Sequence, residues 1–128
     1  MKHTCDTNFI LRYLLGDNPD MLAKTTKVFE QAKSGEITQI IEQTVFTEVI
    51  FVLSSFYEVP REKIRQTLID LLAYKGVSGE KAALSLALDY YCKHNLHIVD
   101  CLLLAKAALS KTPILTFDRK LDKLTKAL

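Results

Sequence analysis

Tryptophan is absent from this chain, cysteine and proline occur three times each, and glycine occurs four times in 128 residues. The cysteines, Cys5, Cys92 and Cys101, form no Cys-x-x-Cys pair. An odd count of three argues for reduced thiols. Cys92, His94, His97 and Cys101 lie near one another in sequence, but their spacing fits no common zinc finger. They read as a small buried Cys92, a helix-end His94 and a loop His97. The glycines Gly16, Gly35, Gly76 and Gly79 are scattered among connections, and no Pro/Gly-rich linker, repeat or low-complexity tract is present. One domain over residues 1–128 is expected. Apolar runs stay far short of the ~20 residues a membrane span needs. Met1 to Asp6 holds no apolar signal core, so a cytoplasmic protein is expected. An excess of charge of one sign is also missing: the net charge is +2. That does not suggest a strongly basic nucleic-acid binder and does not exclude one, because a local basic patch serves at a metal-screened site. The content of 48% apolar and 25% charged residues is that of an ordinary globular chain rather than a disordered one.

What is there is an alternation of short extended segments with helical periodicities. Strands are predicted at 2–6, 37–41, 75–78 and 113–116. Helices are predicted at Asn8–Leu15, Asp20–Lys33, an apolar stretch capped by Thr44, Arg61–Tyr74, Lys81–His94, Asp100–Ser110 and Asp118–Leu128. Ile64, Leu68, Leu71 and Leu72 form one core stripe, and Ala83, Leu84, Ala87, Leu88 and Tyr91 another. The alternation points to an α/β fold with a parallel sheet.

Four carboxylates stand out. Glu48 sits inside Val45-Phe46-Thr47-Glu48-Val49-Ile50-Phe51-Val52-Leu53, which reads as a helix apolar almost all round and therefore buried. A buried carboxylate there needs a partner or a metal. Asp6, Asp100 and Asp118 each follow a predicted extended segment and open a predicted helix. Such junctions gather at one edge of a parallel sheet, where open α/β folds place their sites. Taken singly, each aspartate is explained as a helix N-cap; Glu48 is not. Four converging acids repel one another unless a cation neutralises them. Hard oxygen ligands suit Mg²⁺ or Mn²⁺, and the chemistry implied is metal-dependent phosphodiester hydrolysis.

These residues resemble the PIN-domain nucleases. The opening Met1-Lys2-His3-Thr4-Cys5-Asp6-Thr7-Asn8 looks like the family's first motif. Thr47-Glu48-Val49 resembles its acidic helix, Ile98-Val99-Asp100-Cys101 its third motif, and Thr116-Phe117-Asp118-Arg119 its fourth. Small stand-alone members are mostly VapC-like toxins. The resemblance implies a three-layer α/β/α sandwich around a short-stranded parallel sheet and a Mg²⁺- or Mn²⁺-dependent endoribonuclease. It also implies a homodimer, a cognate antitoxin and no membrane partner. By that resemblance Asp6, Asp100 and Asp118 hold the metal directly or through water. Glu48 binds through water or positions the attacking water, and Asn8 and Thr116 hydrogen-bond the carboxylates or the phosphate. Arg12, Arg119 and Lys120 are candidates for the RNA backbone, with a solvated helix face as the other role for Arg12. Asp122 is expected to pair with Lys126 instead of joining the site. His97 departs from the pattern, standing where many members carry a further acid. His3 and Cys5 make the first strand unusually polar, and without the final strand of many relatives a four-stranded sheet is expected.

Two other classes fit less of the chain. One is a catalytically weak or inactive PIN-like module that binds RNA or protein, favoured by His97 and the modest charge. The other is an aspartyl-phosphate enzyme, disfavoured because Asn8 stands where a second acid is needed.

Overall fold

In the computed structural model, which describes residues 1–128, contacts cluster into two units, Met1–Glu80 and Lys81–Leu128. The first unit begins with β1 (Lys2–Thr4), α1 (Thr7–Leu15) and α2 (Pro19–Ser34). Asp6 caps α1 by accepting from the Phe9 amide at 2.8 Å. Asn18 caps α2 by accepting from Met21 N at 3.1 Å, with Pro19 at the first turn, where its missing N–H costs nothing. Gly16 and Gly35 close the two helices at φ 62° and 85°, the left-handed conformation that glycine adopts without steric penalty. The helices pack through aromatic rings: Tyr13 stacks on Phe29 at 4.2 Å between centroids, and Phe9 lies 5.8 Å from the same ring.

The chain then enters β2 (Thr38–Ile40), α3 (Gln43–Ser55), α4 (Arg61–Leu72) and β3 (Val77–Ser78). The sheet is parallel, in the order β1-β2-β3, with His3 opposite Gln39 and Gln39 opposite Val77. Helical crossovers are what parallel strands require, and both connections supply a helix pair. Gly76 marks a close approach: its N–H donates to Ala32 O at 2.7 Å and its carbonyl accepts from Gln39 N at 2.8 Å. The Ile64, Leu68, Leu71 and Leu72 stripe of α4 is buried as predicted.

The second unit is wholly helical: α5 (Lys81–Lys93), α6 (Ile98–Ser110) and α7 (Arg119–Lys126). Helix α5 packs on α6, and α6 on α7. The predicted Ala83, Leu84, Ala87, Leu88 and Tyr91 face of α5 is buried.

Several expectations are corrected. Residues 113–116 are not a strand, so the sheet has three strands instead of four. The backbone there bonds to side chains in place of a ladder: Ile114 N donates to Thr125 Oγ1 at 3.2 Å and Asp118 N to Thr116 Oγ1 at 3.0 Å. Pro113 has no N–H to give, and Leu115 and Phe117 are fully exposed at 98% and 107%. Thr44 does not cap α3, which starts at Gln43 after Glu42. Helix α6 starts at Ile98, so Ile98 and Val99 are helical and not extended. No helix of the chain is long and apolar enough to cross a membrane.

Candidate active site

The first unit carries Asp6 and Glu48; the second carries Asp100 and Asp118. Asp6 lies where β1 gives way to α1, and the cap bond to Phe9 uses its Oδ1. Asp118 plays the same part before α7, accepting from Leu121 N at 2.9 Å through Oδ1. Both side chains are exposed. The capping explanation for these two residues is therefore correct as far as it goes, and in each carboxylate the second oxygen is left over.

Glu48 corrects the sequence reading. It is exposed, because α3 buries Phe46, Val49, Ile50 and Leu53 and Glu48 sits on the other side of the helix. Phe51, one turn on, is 65% exposed and shares that face. No desolvation cost therefore demands a partner for Glu48. Asp100 is half-buried in the first turn of α6, where an acid is favoured by the helix dipole. It does not cap the helix: that position belongs to His97, whose side chain makes no capping bond.

Of the supporting residues, Asn8 is exposed beside Asp6 on α1. Thr116 bonds to the Asp118 backbone amide, not to a carboxylate. Arg119 is exposed, and Lys120 donates to Asn95 O at 3.3 Å. Arg12 is already engaged: Nη1 meets both Asp17 oxygens at 2.7 Å and Nη2 donates to the Tyr57 hydroxyl at 3.4 Å. The Tyr57 bond first, and Asp17 after it, push the guanidinium pKa up. Asp122 pairs with Lys126 at 2.9 Å, as expected.

Two cavities meet at Asp6. One, of about 420 Å³, is lined by His3, Thr4, Cys5, Asp6, Phe9 and Gln39, among others. The other, of about 250 Å³, is lined by Asp6, Asn8, Arg12, Lys24 and Thr25 with two apolar neighbours. In the first, the buried Cys5 thiol donates to Gln39 Oε1 at 3.0 Å. Burial, and then the charge of Asp6, push that thiol up to about 11. Sequence reasoning missed Gln39 and Lys24. Gln39 is a polar residue in a strand, whose burial only the pleat register decides. Lys24 is one of several lysines on α2, with nothing in the pattern to mark it.

The donor chemistry of the acids suits a hard divalent cation. The Glu48 and Asp100 side chains make no hydrogen bond or ion pair, and the bonds of the Asp6 and Asp118 side chains engage one oxygen each. Within neither unit taken by itself do three or more His, Cys, Asp or Glu side chains gather closely enough to hold a metal ion. In the Cys92–Cys101 stretch, Cys92, expected to be buried, is only half-buried, whereas Cys101 is buried. His94 is held below its ordinary pKa by burial, then by Lys93 and Lys120.

A family model for the PIN domain matches residues 4–127, taking in all four acids and both units. The chain belongs to the PIN domain family. No curated protein and no solved structure matches it. PIN domains have a nuclease-type α/β fold, are generally hydrolases and usually work with divalent metals. The short parallel sheet and the surrounding helices of this chain agree with that fold.

Proposed function

We propose that this PIN domain is a metal-dependent endoribonuclease, the toxin of a toxin–antitoxin pair. The observation that carries the reading is the family match over 4–127, a span that includes Asp6, Glu48, Asp100 and Asp118. In support, Glu48 and Asp100 carry no partner inside the chain, and the capping bonds leave Asp6 and Asp118 an oxygen each.

Asp6, Asp100 and Asp118 would hold Mg²⁺ or Mn²⁺, and Glu48 would bind the same ion through water or orient the attacking water. When bound, such an ion lowers the pKa of a coordinated water and offsets charge on the transferring phosphoryl oxygens. Asn8 donates from its amide to the phosphate or to a carboxylate beside it. The Thr116 hydroxyl, fixed on the Asp118 amide, keeps the turn before α7 in place. Arg119, at the exposed start of α7, offers a charge to the RNA backbone. Arg12 serves instead to tie α1 to Asp17 and to Tyr57 beyond α3. A cytoplasmic homodimer, an RNA substrate and a cognate antitoxin complete the proposal.

The test is cleavage of total RNA by the purified chain with Mg²⁺ or Mn²⁺, beside an Asp100→Asn variant. Discrete cuts lost in the variant support the reading; equal cutting by both refutes it. A second reading, a PIN module that binds RNA or protein without cutting, is favoured by the exposed Glu48 and the capping roles of Asp6 and Asp118. Tight RNA binding with no turnover in either metal would establish that reading instead.

A further inference from the structure

We propose that Lys24 is a phosphate-binding residue of this site, holding the RNA backbone at the α1–α2 side of Asp6. The proposal rests on the nuclease reading and adds to it a residue, a cavity and a direction for the strand.

The smaller of the two cavities brings Lys24 together with Asp6, Asn8, Arg12 and Thr25. Its charges are not equivalent. Arg12 is neutralised by its two-oxygen pairing with Asp17 and turned toward Tyr57. Thr25 spends its hydroxyl on Leu22 O at 3.1 Å. The Lys24 side chain makes no hydrogen bond and no ion pair. It is the uncommitted cation of the cavity. Any phosphate approaching Asp6 meets a negative charge, and Lys24 is placed to offset that repulsion. An ammonium group is a compact point charge well suited to phosphate oxygens. Among the other lysines of α2, Lys27 lines neither cavity, and Lys33 lies over the Tyr74 ring at 5.6 Å.

The larger cavity supplies the other half of a nucleotide. It shares Asp6 and Phe9 with the first and is walled mainly by apolar groups, including Val28 and Cys5. Gln39 also lines it, and its Nε2 has no partner within the chain. A strand crossing the Asp6–Phe9 ridge thus finds charge and amide donors on one side and an apolar recess for a base on the other. Recognition of RNA by splayed bases beside aromatic side chains is a general mode, and a phosphate contact positions the strand without reading sequence.

The test measures binding of a short single-stranded RNA to the intact chain in EDTA, across a range of salt. Lys24→Ala is expected to weaken binding by about five- to tenfold at low salt and to reduce the slope of log affinity against log salt by about 0.7, one single-strand contact. Lys24→Arg restores most of both, and Lys27→Ala on the same helix changes neither. With Mn²⁺ present, Lys24→Ala raises KM and leaves kcat near the parent value. If Lys24→Ala leaves affinity and slope unchanged while the parent cuts RNA, the assignment fails and the nuclease reading stands. If the parent neither binds nor cuts RNA, both fail.

Discussion

Asp6 has two claims on it, a structural one visible in the fold and a catalytic one proposed, and two substitutions separate them. The structural claim is the 2.8 Å bond from Phe9 N to Oδ1. Asparagine keeps that acceptor and ranks with aspartate as an N-cap, whereas alanine removes it, at a cost of about 1 kcal/mol. For a chain of this size 1 kcal/mol moves the melting temperature by roughly 4 °C. Asp6→Asn should therefore melt within about 2 °C of the parent, and Asp6→Ala about 4 °C below it. The catalytic claim concerns charge: asparagine is a neutral and poor ligand for a hard cation. Cleavage of a fluorescent RNA in Mn²⁺ should fall by on the order of a hundredfold or more in both variants, the scale seen when a group stabilising transition-state charge is lost. Thermal melts and initial cleavage rates on the same preparations measure both effects. If Asp6→Asn cuts RNA within threefold of the parent, while Asp6→Ala loses activity only in step with its stability, Asp6 is a cap and nothing more.

Two further outcomes follow from the packing and the titration of the first unit. Gly76→Ala would drive a Cβ into the Ile37 carbonyl oxygen and to 2.7 Å from Ala32 O. Backbone must move, so a loss of about 3 kcal/mol is expected, read as a fall of roughly 10 °C in melting temperature; a change under 2 °C would contradict the close approach. The Cys5 thiol, pushed from 9.0 up to about 11 by burial and by Asp6, keeps its proton more tightly in the folded chain than in the unfolded one. The stability this contributes is whole below pH 9 and declines as pH rises toward 11. In urea melts the advantage of the parent over Cys5→Ala should shrink across that window, and a constant difference would refute the shift.

Much of the first unit was legible because local rules and packing agree there. Asp6, Asn18, Pro19, Gly16 and Gly35 punctuate α1 and α2 by cap chemistry that needs no tertiary information. The stripes of α4 and α5 follow the helical period, and both are buried. Glu48 shows where the reading ran out. Its neighbours are so uniformly apolar that the sequence hides which side of α3 faces the core, and only Phe46, Val49, Ile50 and Leu53 being buried sets the phase. Ile98 and Val99 failed for the opposite reason: β-branched residues fit a strand, but they became the first turn of α6. Residues 113–116 carry strand-like composition, yet a strand needs a ladder partner, and here the donors found Thr116 and Thr125 hydroxyls. The family was legible from the ordered motifs, and the family match agrees on the family; which groups line the cavities at Asp6 depends on the α1–α2 packing and on the pleat of β2, which no motif records.

The central claim is that this PIN domain cuts RNA with a divalent ion held by its acids. The most direct measurement is cleavage of a defined RNA by the purified chain as Mn²⁺ is titrated and then removed with EDTA. The account predicts discrete cuts that rise with Mn²⁺, vanish in EDTA and return when the ion is restored. Cutting that persists undiminished in EDTA, or no cutting at any Mn²⁺ concentration, would contradict it.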